Sequence, residues 1–190
     1  MSSSAILRTA RSIRGLSQVE LAEKSGIDQA VISRYEGGAG VRYATLEKIL
    51  GSTGSSLYLA PTNGLSADRA AVEISKHLKR DDSNSALRVL IQLNDDLARE
   101  KGIVRGILGL AEPSATGNRV WDAGLAALVA WRLNEAHLPL PNWVNDPERF
   151  FSKNHVLKFD PADPLPTESD TPKEFLERGV LVFEDTFRSV

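Results

Sequence analysis

Ser17-Gln18-Val19-Glu20-Leu21-Ala22-Glu23-Lys24-Ser25-Gly26-Ile27-Asp28-Gln29-Ala30-Val31-Ile32-Ser33-Arg34-Tyr35-Glu36 holds two helix starts and one helix stop within twenty residues. Ser17 and Glu20 stand three apart, the spacing of a capping box in which the hydroxyl takes one free amide and the carboxylate reaches back. The helix so begun, Gln18 to Ser25, stops at Gly26, which tolerates the positive φ of a tight turn. Asp28 is an N-cap for a further helix from Gln29 to about Glu36. Ala22 is small enough for the crossing of the two helices, Ile27 plugs the turn, and Ile32 and Tyr35 are expected to face Val19 and Leu21 in a core.

The flanks extend this pattern. Upstream, Ile6, Leu7, Ala10 and Ile13 recur at helical spacing and Gly15 closes that helix. Downstream, Gly37-Gly38-Ala39-Gly40 is a loop, followed by a helix from about Thr45 to Gly51 with Leu46, Ile49 and Leu50 inward. A helical hairpin with no DNA role is the bland reading of two short helices around a glycine turn. The match extends over four helices, however, and residues 5–55 resemble the Cro/λ-repressor-like helix-turn-helix family.

That resemblance implies that the helix beginning at Gln29 enters the major groove while the preceding helix crosses the backbone. Gln29, Ala30, Ser33 and Arg34 are then the base-reading residues. Gln suits adenine, Arg suits guanine and Ala30 can touch a thymine methyl. Gln18, at the head of its helix, is placed for a phosphate, and Arg14, Arg42 and Tyr43 are further phosphate candidates. Arg11 and Glu36 take positions that form a structural ion pair in the family. The chain departs from the family in the 37–40 loop, which carries no Lys or Arg. The expected partner is double-stranded DNA with a palindromic operator, bound by a homodimer whose half-sites lie about 34 Å apart. The short alternating run Ser55-Ser56-Leu57-Tyr58-Leu59-Ala60-Pro61 is a candidate dimer strand through Leu57, Tyr58 and Leu59, because an unpaired strand edge invites a second chain. An extended linker is the alternative.

Bulk properties fit this picture. The 190 residues are 42% hydrophobic and 25% charged, with no cysteine, so disulfides and thiolate metal sites are excluded. The N-terminus lacks a secretory apolar core, and the longest apolar run, Ala123 to Trp131, is far shorter than a membrane span. A cytoplasmic location is expected. The net charge of −2 divides unevenly: residues 1–61 carry seven Lys/Arg against five Asp/Glu, and residues 62–190 carry sixteen against twenty. A local basic surface suffices for phosphate affinity. The expected organisation is a mainly α chain with a DNA-binding domain at 1–61 and a helical partner-binding domain at 65–190.

In the second half Ser66 and Ser83 are expected to cap helices at about 66–79 and 84–100, the latter with Leu87, Leu90, Ile91, Asn94 and Leu97 on one face. Ile103 to Leu110 is helical, with Gly102, Gly106 and Gly109 serving close packing. They form no phosphate loop, since there is no preceding strand and no Gly-Lys-Ser ending. Arg119 to His137 is expected to be the buried central helix, with Trp121, Leu125, Leu128, Val129 and Leu133 inward. A proline- and acid-rich run from Asp146 to Pro166 follows and is expected to order against a partner. A short helix near Pro172 to Arg178 closes the chain. No enzyme chemistry is expected: His77, His137 and His155 lack metal spacing, Asp95-Asp96 reads as a solvated face, and no cofactor motif is present.

Asn94-Asp95-Asp96-Leu97, Trp121-Asp122, His137-Leu138-Pro139, Trp143, Pro147-x-Arg149-Phe150 and the ending Pro172-x-x-Phe175-Leu176-x-Arg178-Gly179-Val180 resemble helix-turn-helix antitoxins encoded beside nucleotidyltransferase-like toxins. That resemblance implies a type II antitoxin that neutralises its toxin and represses their shared operon. Residues 158–190 carry eight acids against four bases, suited to occluding a basic active site. Trp143, Phe150 and Phe151 are the candidate partner anchors, and Phe175 and Phe183 are equally readable as core. The alternative is a regulator whose C-terminal domain senses a small molecule.

Overall fold

Two separate clusters of buried apolar side chains organise the computed structural model, which describes residues 2–57, 60–158, 162 and 164–188. The first cluster belongs to α1 (Ser3–Ile13), α2 (Gln18–Ser25), α3 (Gln29–Glu36) and α4 (Tyr43–Ser52). Leu7, Leu21, Ile32 and Ile49 are fully buried at its centre. The chain is mainly helical, and its first four helices form a helix-turn-helix domain.

Two side chains expected inside that domain lie outside it. Val19 is 54% exposed and Ile13 is 51% exposed. In α2 the inward stripe is Leu21, Ala22 and Ser25. Val19 precedes Leu21 by two residues, a rotation of about 200° that turns it to solvent. Ile13 is the last residue of α1 and faces a cleft between the two clusters. The fourth helix begins two residues before the expected Thr45, with Arg42 as its N-cap and no side-chain cap bond.

The second cluster is built around α8 (Arg119–Glu135), in which Trp121, Leu133 and every residue from 123 to 130 are buried. A helix buried on all sides needs cover on all sides. It comes from α5 (Ala67–Leu78), α6 (Ser83–Arg99), α7 (Gly102–Leu110), α9 (Lys173–Leu176) and two short 3-10 helices at Asn142–Asn145 and Pro147–Arg149. A Cβ on Gly109 would stand 2.9 Å from Val129 Cγ1, so that glycine serves close packing of α7 on α8. The expected caps need correcting. Asp82, not Ser83, caps α6 by accepting from the Ser85 amide at 2.9 Å. Ser66 holds the N-cap position of α5, yet its hydroxyl donates to Asp68 at 2.6 Å instead of accepting an amide.

The acid- and proline-rich stretch departs further from expectation. Part of it packs onto this chain's own core: Leu157 and Pro166 are buried, and β1 (His155–Val156) pairs in parallel with β2 (Val180–Leu181). Beyond it, Phe175 and Phe187 stack against each other and meet Trp131 edge-on. No helix among the described residues is long and apolar enough to cross a membrane.

The two domains touch through α1. Arg8 donates to the Glu112 carbonyl at 3.2 Å and to Ser114 Oγ at 2.9 Å. The Glu112 amide donates to Thr9 Oγ1 at 2.8 Å, and the Ser12 hydroxyl donates to the Glu112 carboxylate. Asn142 adds a bond to the Ser12 carbonyl at 3.2 Å. Nothing in the sequence spacing signals these contacts, which join residues about a hundred positions apart.

Candidate nucleic-acid interface

The turn between α2 and α3 is set by local bonds. Ser17 Oγ accepts from the Glu20 amide at 3.2 Å, and Glu20 accepts from the Ser17 amide at 2.7 Å. The Ser17 amide foremost, and the Ser17 hydroxyl donating to the same oxygen at 2.8 Å, hold the Glu20 carboxyl below its ordinary range. Gly26 ends α2 in the left-handed region at φ 63°, where a side chain is strained. A Cβ there would meet only Lys48 Nζ, at 3.7 Å, so conformation and not space selects glycine. Asp28 then caps α3 by accepting from Ala30 N at 2.8 Å.

With Ile32 buried and Tyr35 packed on the core, the opposite face of α3 is open. Gln29, Ala30, Ser33 and Arg34 are all exposed on it. Arg34 has no side-chain partner among the described residues, so its donors are uncommitted. Gln29 is oriented instead. Its amide donates to Gln18 Oε1 at 3.1 Å, and Gln18 donates to Glu36 Oε2 at 2.9 Å.

Glu36 is buried and receives Arg11 at two points, 2.7 and 3.1 Å. Burial pulls the Arg11 guanidinium down, but the bond and charge of Glu36 more than offset this and leave it raised above its ordinary value. The expected ion pair is therefore present, with an extension the residue pattern did not signal. Gln18, expected as a phosphate contact, bridges the buried pair to Gln29. Arg8 joins the same centre, donating to the Glu36 carbonyl at 2.6 Å.

Arg42 and Tyr43 are exposed at the N-terminus of α4, where the first amides lack a side-chain cap. That arrangement can accept a phosphate. Arg14 is not brought to α2 or α3: its Nε donates to the Thr53 carbonyl at 2.7 Å, beyond the end of α4. Of the expected dimer strand, Leu57 is 42% exposed, and Tyr58 and Leu59 lie outside the described residues.

One of the three expected partner anchors is corrected. Trp143 is only 3% exposed, donates its indole N–H to the Gly109 carbonyl at 3.1 Å and carries Arg149 over its ring. An aromatic held by both faces of its own domain cannot anchor another chain. Phe150 and Phe151 are half-buried beneath Arg178 and Arg119, each guanidinium 4.9 Å from its ring centre. Among the described residues no group of three His, Cys, Asp or Glu side chains is placed to hold a metal ion.

Residues 7–58 match the family described as Helix-turn-helix. The chain matches no curated protein and no solved structure. The match covers the domain whose exposed helix face has just been described, and it suggests a DNA-binding transcription regulator.

Proposed function

We propose that this chain is a sequence-specific repressor that seats α3 in the major groove as a two-fold dimer on a palindromic operator in the cytoplasm. The observation that carries this reading is the open face of α3. On it an uncommitted Arg34 stands beside Gln29, which is held by the Gln18–Glu36–Arg11 chain. A free guanidinium can address guanine O6 and N7 together, and a pre-oriented amide can address adenine. The test is binding of Arg34→Ala to its selected operator and to a scrambled duplex. A loss of about 1–3 kcal/mol confined to the operator is expected. Equal losses on both would remove the base-reading role.

For the C-terminal domain we propose the antitoxin role, with a nucleotidyltransferase-like toxin as partner and the shared operon as target. Support comes from the resemblance along residues 84–190 and from the acid excess after residue 158. With Trp143 internal, the contact would fall to exposed acids such as Glu168 and Glu177. Growth of cells expressing the neighbouring reading frame alone, and with this chain, tests it. Arrest relieved by co-expression is expected. No arrest would leave a regulator without a toxin.

A further inference from the structure

We propose that the cleft between α1 and α7 is a binding site for a small, uncharged, largely aliphatic molecule whose occupancy alters how the DNA-binding domain is held. The cleft has a volume of about 490 Å³, within the range of small-molecule sites. Its walls come from both domains: Ile13 and Leu57 on one side, Ile103, Ile107 and Leu110 on the other. Among the described residues no charged or aromatic side chain lines it. A charged occupant would lose its hydration without gaining a partner, so the occupant is neutral.

Two further observations separate this cleft from an ordinary surface. Ile13, Leu57, Ile103 and Leu110 are half of the large apolar side chains that stand exposed among the described residues, and all four line it. Scattered exposed apolar residues are normal, whereas convergence marks a site. Gly106 is the second observation. It sits inside α7 and lines the cleft, and a Cβ there would meet nothing within 4 Å. Glycine weakens a helix, and three residues on Gly109 is required by Val129. No packing among the described residues requires Gly106, and the bare backbone it leaves widens the cleft for an occupant.

A second copy of the chain seated in the cleft is the competing occupant, and sedimentation of Ile103→Asp distinguishes it. The proposed occupant is instead a compact molecule that fills the space. Its consequence follows from α1, which bears Arg8 and Arg11, the residues that grip Glu36 and through it Gln18 and Gln29. The same Arg8 guanidinium also ties α1 to Glu112 and Ser114. An occupant pressing α1 away from α7 acts on both sets of bonds.

The site itself rests on no assumption about DNA, while its regulatory effect rests on the operator-binding reading. The full chain is titrated with the neutral fluorophore N-phenyl-1-naphthylamine. Saturable emission is expected, displaced by 1-decanol and at least about tenfold less well by decanoate. Gly106→Leu fills the cleft with a residue that favours helix, so it should lower probe affinity about tenfold or more without lowering the melting temperature. Three results would overturn the site: no saturable emission, unchanged affinity in Gly106→Leu, or sedimentation showing that Ile103→Asp splits a dimer that had covered the cleft. Operator affinity is then measured with and without decanol. A shift of about fivefold or more is expected, and no shift removes the coupling. Absence of DNA binding altogether would overturn the repressor reading and leave the probe titration standing.

Discussion

Gln29, Ala30, Ser33 and Arg34 in the N-terminal domain, and Trp143, Phe150 and Phe151 in the C-terminal domain, are both marked by residue type as contact surfaces. The first set lies exposed on one helix face. In the second set Trp143 is buried and the two phenylalanines are half-buried under arginines. The difference is one of scale. On an eight-residue helix with firm caps, the 3.6-residue period alone decides which positions face away from Ile32. Trp143 follows a proline-broken stretch with no period to read, and its direction depends on α7 and the Gly109 carbonyl, thirty-four positions away. Aromatic residues in irregular chain therefore report burial and binding equally well until the core they adjoin is known.

Two large effects would sharpen that contrast. Trp143→Ala should destabilise the C-terminal core by about 3–5 kcal/mol, read by denaturant unfolding, since it leaves a cavity and strands the Gly109 carbonyl. A stable variant that merely lost a protein partner would restore Trp143 as a surface anchor. Glu36→Ala should cost a comparable amount, about 3–5 kcal/mol, because it leaves Arg11 partly buried without its carboxylate. An effect under 1 kcal/mol would mean that the pair is solvated, as ordinary surface pairs are.

A middle-sized effect separates two roles for one residue. Gln18→Ala should weaken binding to all duplexes by about 1 kcal/mol if it only meets phosphate. Because Gln18 also holds Gln29, an added loss is expected at the base pair that Gln29 reads, visible in a panel of single-base operator variants. A uniform loss across the panel would break the orienting role.

The smallest effect concerns the capping box. Ser17→Ala should reduce stability by about 1 kcal/mol. Its pH course follows from the lowered Glu20 carboxyl. A depressed folded-state value means the stabilisation is complete above the ordinary carboxylate range and is lost as pH falls through the folded value. The Ser17 amide keeps its bond to that carboxylate in Ser17→Ala, and the lost bond from the Glu20 amide does not titrate. Thermal melts of wild type and variant should therefore differ more at neutral pH than in acid, without converging fully. A difference that persists unchanged into acid would assign the cap to the hydroxyl alone.

By itself the sequence determined the elements written in adjacent residues. The spans of α2 and α3, the Ser17–Glu20 box, the left-handed Gly26 and the Asp28 cap follow from bonds that close within one turn of chain. The buried length of α8 follows from an apolar run with no polar face. The Arg11–Glu36 pair and the open face of α3 came from family resemblance. Only tertiary structure decided the rest. Val19 and Ile13 carry apolar side chains at near-helical spacing but sit outside the core, because where a helix docks depends on its neighbours. Gln18 became a bridge because α1 brings Arg11 to Glu36. The cleft with Gly106, the Glu112 contacts to α1 and the burial of Trp143 join residues tens to a hundred positions apart. Such contacts carry no local signature, because their stability comes from surfaces that exist only once both partners have folded.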